Sequence, residues 1–140
     1  RSRVVVIGSP HRRSGQQWQW QEDAGGAGER QERYGFAAPR PVPPYDTDKD
    51  YLFFSCCTQS YDPRNRRVGT AMLDILNTAG VRYGCLGAAE SCCGDQARRI
   101  GAQDVYDDVK QQNMTLFEEH GVRELIVASP HCLQTINQDY

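Results

Sequence analysis

The chain has 140 residues, a formal net charge of -2 and a pI near 5.9, which suits one domain with a modest core. Its weakly acidic balance, with no arginine-rich run, argues against nucleic acid as a partner. No apolar run approaches the roughly 18 residues of a membrane-spanning helix, and the first ten residues lack the apolar core of a secretion signal.

Arg3 to Ile7 (R-V-V-V-I) is a β-branched run that predicts a strand. It leads into G-S-P-H-R-R-S-G, a loop type that cradles phosphate in flavodoxin-like flavin proteins, although no amphipathic helix follows it. From Gln16 to Asp50 the composition turns to Gln, Glu, Gly, Arg and Pro, an extended polar linker with Trp18 and Trp20 as its large anchors. Tyr51 to Ser55 (Y-L-F-F-S) predicts a second strand that runs directly into Cys56-Cys57. Asp62-Pro63 reads as an N-cap followed by proline at the first helical position. Val68, Ala71, Met72, Ile75, Leu76 and Ala79 then form a helical stripe that Gly80 ends.

Val81 to Leu86 is a third strand candidate, delivering its end to the loop E-S-C-C-G-D. Residues 95 to 119 are helical in pattern with a break near Gly101, and Tyr106, Val109, Leu116 and Phe117 share one face. Asn113 falls on that face too, where it needs hydrogen-bond partners. Glu124 to Ala128 predicts a last strand, followed by S-P-H-C and a helix through Leu133 and Ile136. Strands alternate with helices, so the expected fold is α/β, a largely parallel sheet flanked by helices. The expected division is residues 1–50, a strand candidate plus linker, and residues 51–140, a cysteine-rich domain. The chain opens at Arg1 and stops at Tyr140 inside a helical pattern, and it reads as part of a longer protein.

Six cysteines are present, and two adjacent pairs, Cys56-Cys57 and Cys92-Cys93, suit a disulfide framework poorly. A reducing, cytoplasmic compartment with metal or redox chemistry fits them better. Cys57, Cys92, Cys93 and Cys132 each follow a predicted strand, and parallel strands deliver their following loops to one edge of a sheet. Four thiolates therefore meet there although 34 residues separate Cys57 from Cys92 and 38 separate Cys93 from Cys132. Soft thiolates of this kind select iron–sulfur or zinc. Gly94 lets the backbone approach the sulfurs, and amides at the start of the Asp95 helix are placed to donate to them. Cys85 belongs to a strand body and reads as an apolar residue rather than a ligand.

The stretches F-F-S-C-C-T-Q-S-Y-D-P-R-N, L-G-A-A-E-S-C-C-G-D-Q-A-R-R-I-G and S-P-H-C-L-Q-T-I-N-Q-D-Y together resemble the cysteine-rich CCG domain of heterodisulfide reductase-like iron–sulfur oxidoreductases. The similarity covers Tyr51 to Tyr140 and is greatest to the membrane-associated electron-transfer branch. It implies an iron–sulfur cluster, of 4Fe-4S composition and in some members of non-cubane form, that passes electrons or reduces a disulfide. It implies Cys57, Cys92, Cys93 and Cys132 as metal ligands, with Cys56 and His131 as possible additional ones. It also implies partner subunits or domains of an electron-transfer complex, held at the inner face of a membrane, and a domain that usually occurs twice. Ser129 departs from the family, since it stands where many members have the first cysteine of a Cys-x-x-Cys.

Other readings stay beside this one. The thiols could serve a metal-free thiol–disulfide exchange module, a structural zinc site, or a non-catalytic docking domain with free core cysteines. Arg98 and Arg99 suit either the screening of a cluster's negative charge, contact with an acidic partner, or a solvated helix face. His11 and His120 stand alone in polar surroundings and carry no signal.

Overall fold

The computed structural model describes residues 3–6 and 42–140. The G-S-P-H-R-R-S-G loop, His11, Trp18, Trp20 and most of the linker-like stretch lie outside the described residues. The order is β1 (Arg3–Val6), β2 (Tyr51–Phe54), α1 (Cys57–Tyr61), α2 (Pro63–Thr78), β3 (Tyr83–Gly84), a 3-10 turn (Gly87–Ala89), α3 (Asp95–Arg99), α4 (Gln103–Glu119), β4 (Glu124–Val127) and α5 (Pro130–Asp139). The strands form one sheet in the order β1-β4-β2-β3, and every pairing in it is parallel. The α/β expectation holds.

Both faces of β2 and β4 are covered, which is why Leu52 to Phe54 and Leu125 to Val127 are apolar runs rather than alternating with polar residues. Leu52, Phe54, Leu125 and Val127 point to one face and pack with Phe117 of α4 and Ile136 of α5. Phe53 and Ile126 point to the other, where Met72, Leu73 and Leu76 of α2 cover them. The Phe54 and Phe117 rings meet edge to face at 5.9 Å.

Asp62 caps α2 as expected, its carboxylate accepting from the Arg64 and Asn65 amides at 2.8 and 3.0 Å. The stripe read from the sequence is rotated, however. Gly69, Met72, Leu73 and Leu76 form the buried face of α2, whereas Ile75 is 56% exposed. Packing against Phe53 and Ile126 selects this face from two that share Met72 and Leu76.

The third strand is shorter than Val81 to Leu86, because the segment just before β2 occupies the edge beyond it. Pro44 bridges to Cys85; the Cys85 amide donates to the Pro43 carbonyl at 2.9 Å, and the Tyr45 amide donates to the Cys85 carbonyl at 2.8 Å. Proline suits such an edge, since it has no amide to leave unpaired. A Cβ on Gly84 would stand 2.5 Å from the Tyr45 Cα, so only glycine admits this segment. Tyr45 is buried there, although its surroundings in sequence are linker-like.

Among the described residues no helix is long and apolar enough to cross a membrane. The helix before β4 and the helix after it cover one face, while α2, which follows β2, covers the other. Connections thus diverge between the neighbouring strands β2 and β4. A crevice at the C-terminal ends of such strands is where doubly covered parallel sheets place their sites.

Candidate metal centre

Five of the six cysteines gather at that crevice. Cys56 and Cys57 follow β2, with Cys57 the first residue of α1. Cys92 and Cys93 lie in the loop from β3 to α3, and Cys132 sits in the first turn of α5. Their thiols form a closed ring of hydrogen-bond contacts. Cys56 touches Cys132 and Cys57, Cys57 touches Cys92, Cys92 touches Cys93, and Cys93 touches Cys132. Cys56, Cys93 and Cys132 are buried, whereas Cys57 and Cys92 are partly exposed. Cys85 lies outside the ring, at the Pro44 bridge.

Contacts from the Cys132 and Cys57 thiols, aided by the Thr58 hydroxyl at 2.7 Å, hold the Cys56 thiol well below the ordinary cysteine range despite its burial. Its neighbours move the other way. Cys57 is pushed up by the contacts with Cys56 and Cys92 and by burial, and Cys132 by the contacts with Cys56 and Cys93 and by burial. Cys93 also rises: its contact with Cys132 pulls it down, but the Cys92 contact and burial outweigh that. The opposite directions reflect mutual contact and burial, because adjacent thiolates in a dry site repel.

The backbone is shaped to hold this loop. Gly94 has φ +81, and a Cβ there would lie 2.8 Å from the Tyr106 ring. Its amide donates to the Cys92 sulfur at 3.4 Å, a donation of the kind expected from the start of the Asp95 helix. Asn113 has the structural role its position called for, donating to the Cys92 carbonyl at 2.8 Å and to the Tyr140 hydroxyl at 2.9 Å. The Tyr140 hydroxyl donates in turn to the Cys93 carbonyl at 3.0 Å. Burial raises the Tyr140 pKa, so it remains a donor into alkaline solution.

Asp95 is buried beside the ring and gathers three partners. Its carboxylate accepts from Thr135 Oγ1 at 3.0 Å and Arg99 Nε at 2.8 Å, and His131 Nδ1 lies 3.0 Å away. Asp95 thus joins α3 to α5 at the edge of the cysteine cavity. The contact commits His131 Nδ1 to the carboxylate and removes that nitrogen as a ligand atom. Arg98 pairs with Asp139 at 2.9 Å and Arg99 with Asp95 at 2.8 Å. Thr58, Gln96, Thr135 and Tyr140 were not singled out from the sequence. Thr135 carried a faint signal, a polar residue three places after Cys132 and beside the apolar Ile136.

Cys56, Cys57, Cys92, Cys93, Asp95, Ser129 and His131 are among the residues lining a cavity of about 20 Å³, room for about one water. The sulfurs touch each other rather than surround an open chamber, and among the described residues no three His, Cys, Asp or Glu side chains meet as ligands of a single ion. Chemically the donor set is all sulfur, soft and one larger than tetrahedral zinc takes, which fits an iron–sulfur cluster. The ring's S–H contacts are the bonds that metal–sulfur bonds would replace.

The cysteine-rich domain model named CCG matches residues 51–137. The chain belongs to that family. The CCG domain thus spans β2 to α5 and contains all five ring cysteines. The chain is 38% identical over 117 residues to the EtfAB:quinone oxidoreductase of Syntrophomonas wolfei, covering 84% of this chain and 16% of that protein. Over 91 residues it is 30% identical to a Bacillus subtilis protein named "Probable iron-sulfur-binding oxidoreductase FadF", covering 65% of this chain and 13% of the other. Over 105 residues it is 28% identical to a dihydromethanophenazine:CoB--CoM heterodisulfide reductase polypeptide of Methanosarcina mazei, covering 71% of this chain and 25% of that polypeptide. The chain therefore spans a quarter or less of each relative. No solved structure matches it.

Proposed function

We propose that this CCG domain binds an iron–sulfur cluster and serves electron transfer within a heterodisulfide reductase-like oxidoreductase. The observation that carries the reading is the closed ring of cysteine thiols at the crevice between β2 and β4. The names of the relatives, iron–sulfur and quinone or heterodisulfide oxidoreductases, support it. Cys57, Cys92, Cys93 and Cys132 supply the four thiolates that a 4Fe-4S cluster takes.

Bound there, the cluster supplies a centre that accepts and releases single electrons. The chain's own residues set its surroundings. The Gly94 amide removes negative charge from the Cys92 sulfur, and hydrogen bonds to sulfur raise a cluster's potential. Asn113 and Tyr140 fix the Cys92 and Cys93 carbonyls, so the loop keeps its shape as charge arrives. The buried side chains of Phe54, Val127 and Ile136 keep water from the inner side, while Cys57 and Cys92 approach the surface, the side from which an electron partner reaches the site. That partner is another subunit or domain of an electron-transfer complex at the cytoplasmic face of a membrane.

Thiol–disulfide exchange without metal needs an accessible thiolate. Three of the five ring thiols, Cys56, Cys93 and Cys132, are buried, which weighs against that reading. The test compares iron in anaerobically purified Cys93→Ser, Cys132→Ser and Cys85→Ser variants. Sharp losses in the first two with iron retained in the third are expected. Equal iron in all three would refute the assignment.

A further inference from the structure

Cys57, Cys92, Cys93 and Cys132 by themselves form an open line of contacts, 57 to 92 to 93 to 132. Cys56 joins its two ends, touching both Cys132 and Cys57. It is 3% exposed and lines the same small cavity as Cys57, Cys92 and Cys93. Its side chain also meets the Thr58 hydroxyl. A cysteine that merely filled the core would direct its sulfur at carbon, whereas this one faces two other thiols and a hydroxyl.

Local geometry explains how two consecutive residues serve one site. Along a strand, neighbouring side chains point to opposite faces, so a cysteine pair there would divide between them. Cys56 is the last extended residue after β2, with ψ 145, and Cys57 begins α1. The turn from extended to helical backbone brings both sulfurs to the same side.

Resting on the cluster-binding function proposed above, we propose that Cys56 is a fifth thiolate ligand of the site and closes the sulfur ring between Cys132 and Cys57. On binding, its sulfur bonds iron and any thiol proton it carries passes to solvent, with no change of oxidation state. The arrangement gives the domain five sulfurs from three segments of chain, two from the β2 loop, two from the β3 loop and one from α5.

Ser129 provides the means to test this. It is 2% exposed, lines the same cavity as Cys56, and precedes Cys132 by three residues at the start of α5. A thiol at position 129 would line the cavity that Cys56 lines, three residues before Cys132. The experiment loads Cys56→Ser, Ser129→Cys and the double variant Cys56→Ser/Ser129→Cys anaerobically with iron and sulfide, beside wild type and Cys85→Ser. It reads bound iron after challenge with a chelator, the electron paramagnetic resonance spectrum and the circular dichroism of the fold.

Cys56→Ser is expected to lose iron at least about tenfold faster than wild type, the scale at which removing even a supporting residue already weakens metal binding. Its spectrum should shift and its fold should stay intact. The double variant should recover retention, because the sulfur count returns to five. Iron retention and spectrum like wild type in Cys56→Ser would overturn the proposal. So would equal loss in Cys56→Ser and the double variant with both folded, because the thiol at position 129 restores the missing sulfur if Cys56 is a ligand. Should Cys56→Ser unfold, the double variant decides alone, through recovered or unrecovered iron. A wild-type protein that takes up no iron would instead refute the cluster-binding function itself.

Discussion

Gly94 shows how one residue shapes the cysteine loop. Two separate demands fall on it: a left-handed backbone at φ +81 and a contact with Tyr106 that leaves 2.8 Å for a Cβ. Gly101 shares the first demand, with φ +83, but a Cβ there would meet nothing within 4 Å. Gly101→Ala should therefore cost about 1–2 kcal/mol, the left-handed penalty alone. Gly94→Ala should cost more and should also weaken cluster retention, because the Tyr106 ring or the loop must shift. Urea midpoints of the two variants, measured side by side, check the order; equal midpoints would contradict it. Asp95 carries a different kind of burden at the same scale, since its buried carboxylate ties Thr135, Arg99 and His131 together. Residue types alone pointed to the sulfurs and to Gly94, but not to these supports. Thr135 and Tyr140 matter through partners 40 and 47 residues away in the chain, and nothing in a local window signals such a partner.

Among the elements, α2 is the clearest product of local sequence. Its start is written in Asp62-Pro63, where one carboxylate oxygen satisfies two amides that a helix leaves without partners. Asp62→Ala should lower stability by about 1 kcal/mol while leaving iron content unchanged, because α2 covers the face of the sheet away from the cysteine ring. Thermal or urea unfolding together with an iron assay checks both halves. The buried face of α2 was less legible. Val68, Ile75 and Ala79 continue a regular apolar stripe, yet Leu73 is fully buried and Ile75 exposed, because the choice belongs to Phe53 and Ile126 on the strands. The third strand was overread for a similar reason. Its edge is taken by Pro43 to Tyr45, a segment whose composition suggests no structure, and only the close approach at Gly84 reveals the pairing.

At the scale of the whole molecule, the parallel sheet is what allows cysteines from three distant stretches to meet. Strand ends after β2 and β4 lie side by side, the β3 loop folds over them, and helices on both faces seal the interior. This convergence was legible, since alternating strands and helices imply parallel pairing and each cysteine followed a strand. Cys56 was legible only as a possible additional ligand, because adjacent residues on a strand diverge and the immediate start of α1 is what turns the pair together. The central claim is that the ring holds an iron–sulfur cluster, and iron, acid-labile sulfide and zinc measured per chain after anaerobic purification test it most directly. The account predicts about four iron and four sulfide per site with zinc near zero; stoichiometric zinc, or protein that binds neither metal under reconstitution, would contradict it.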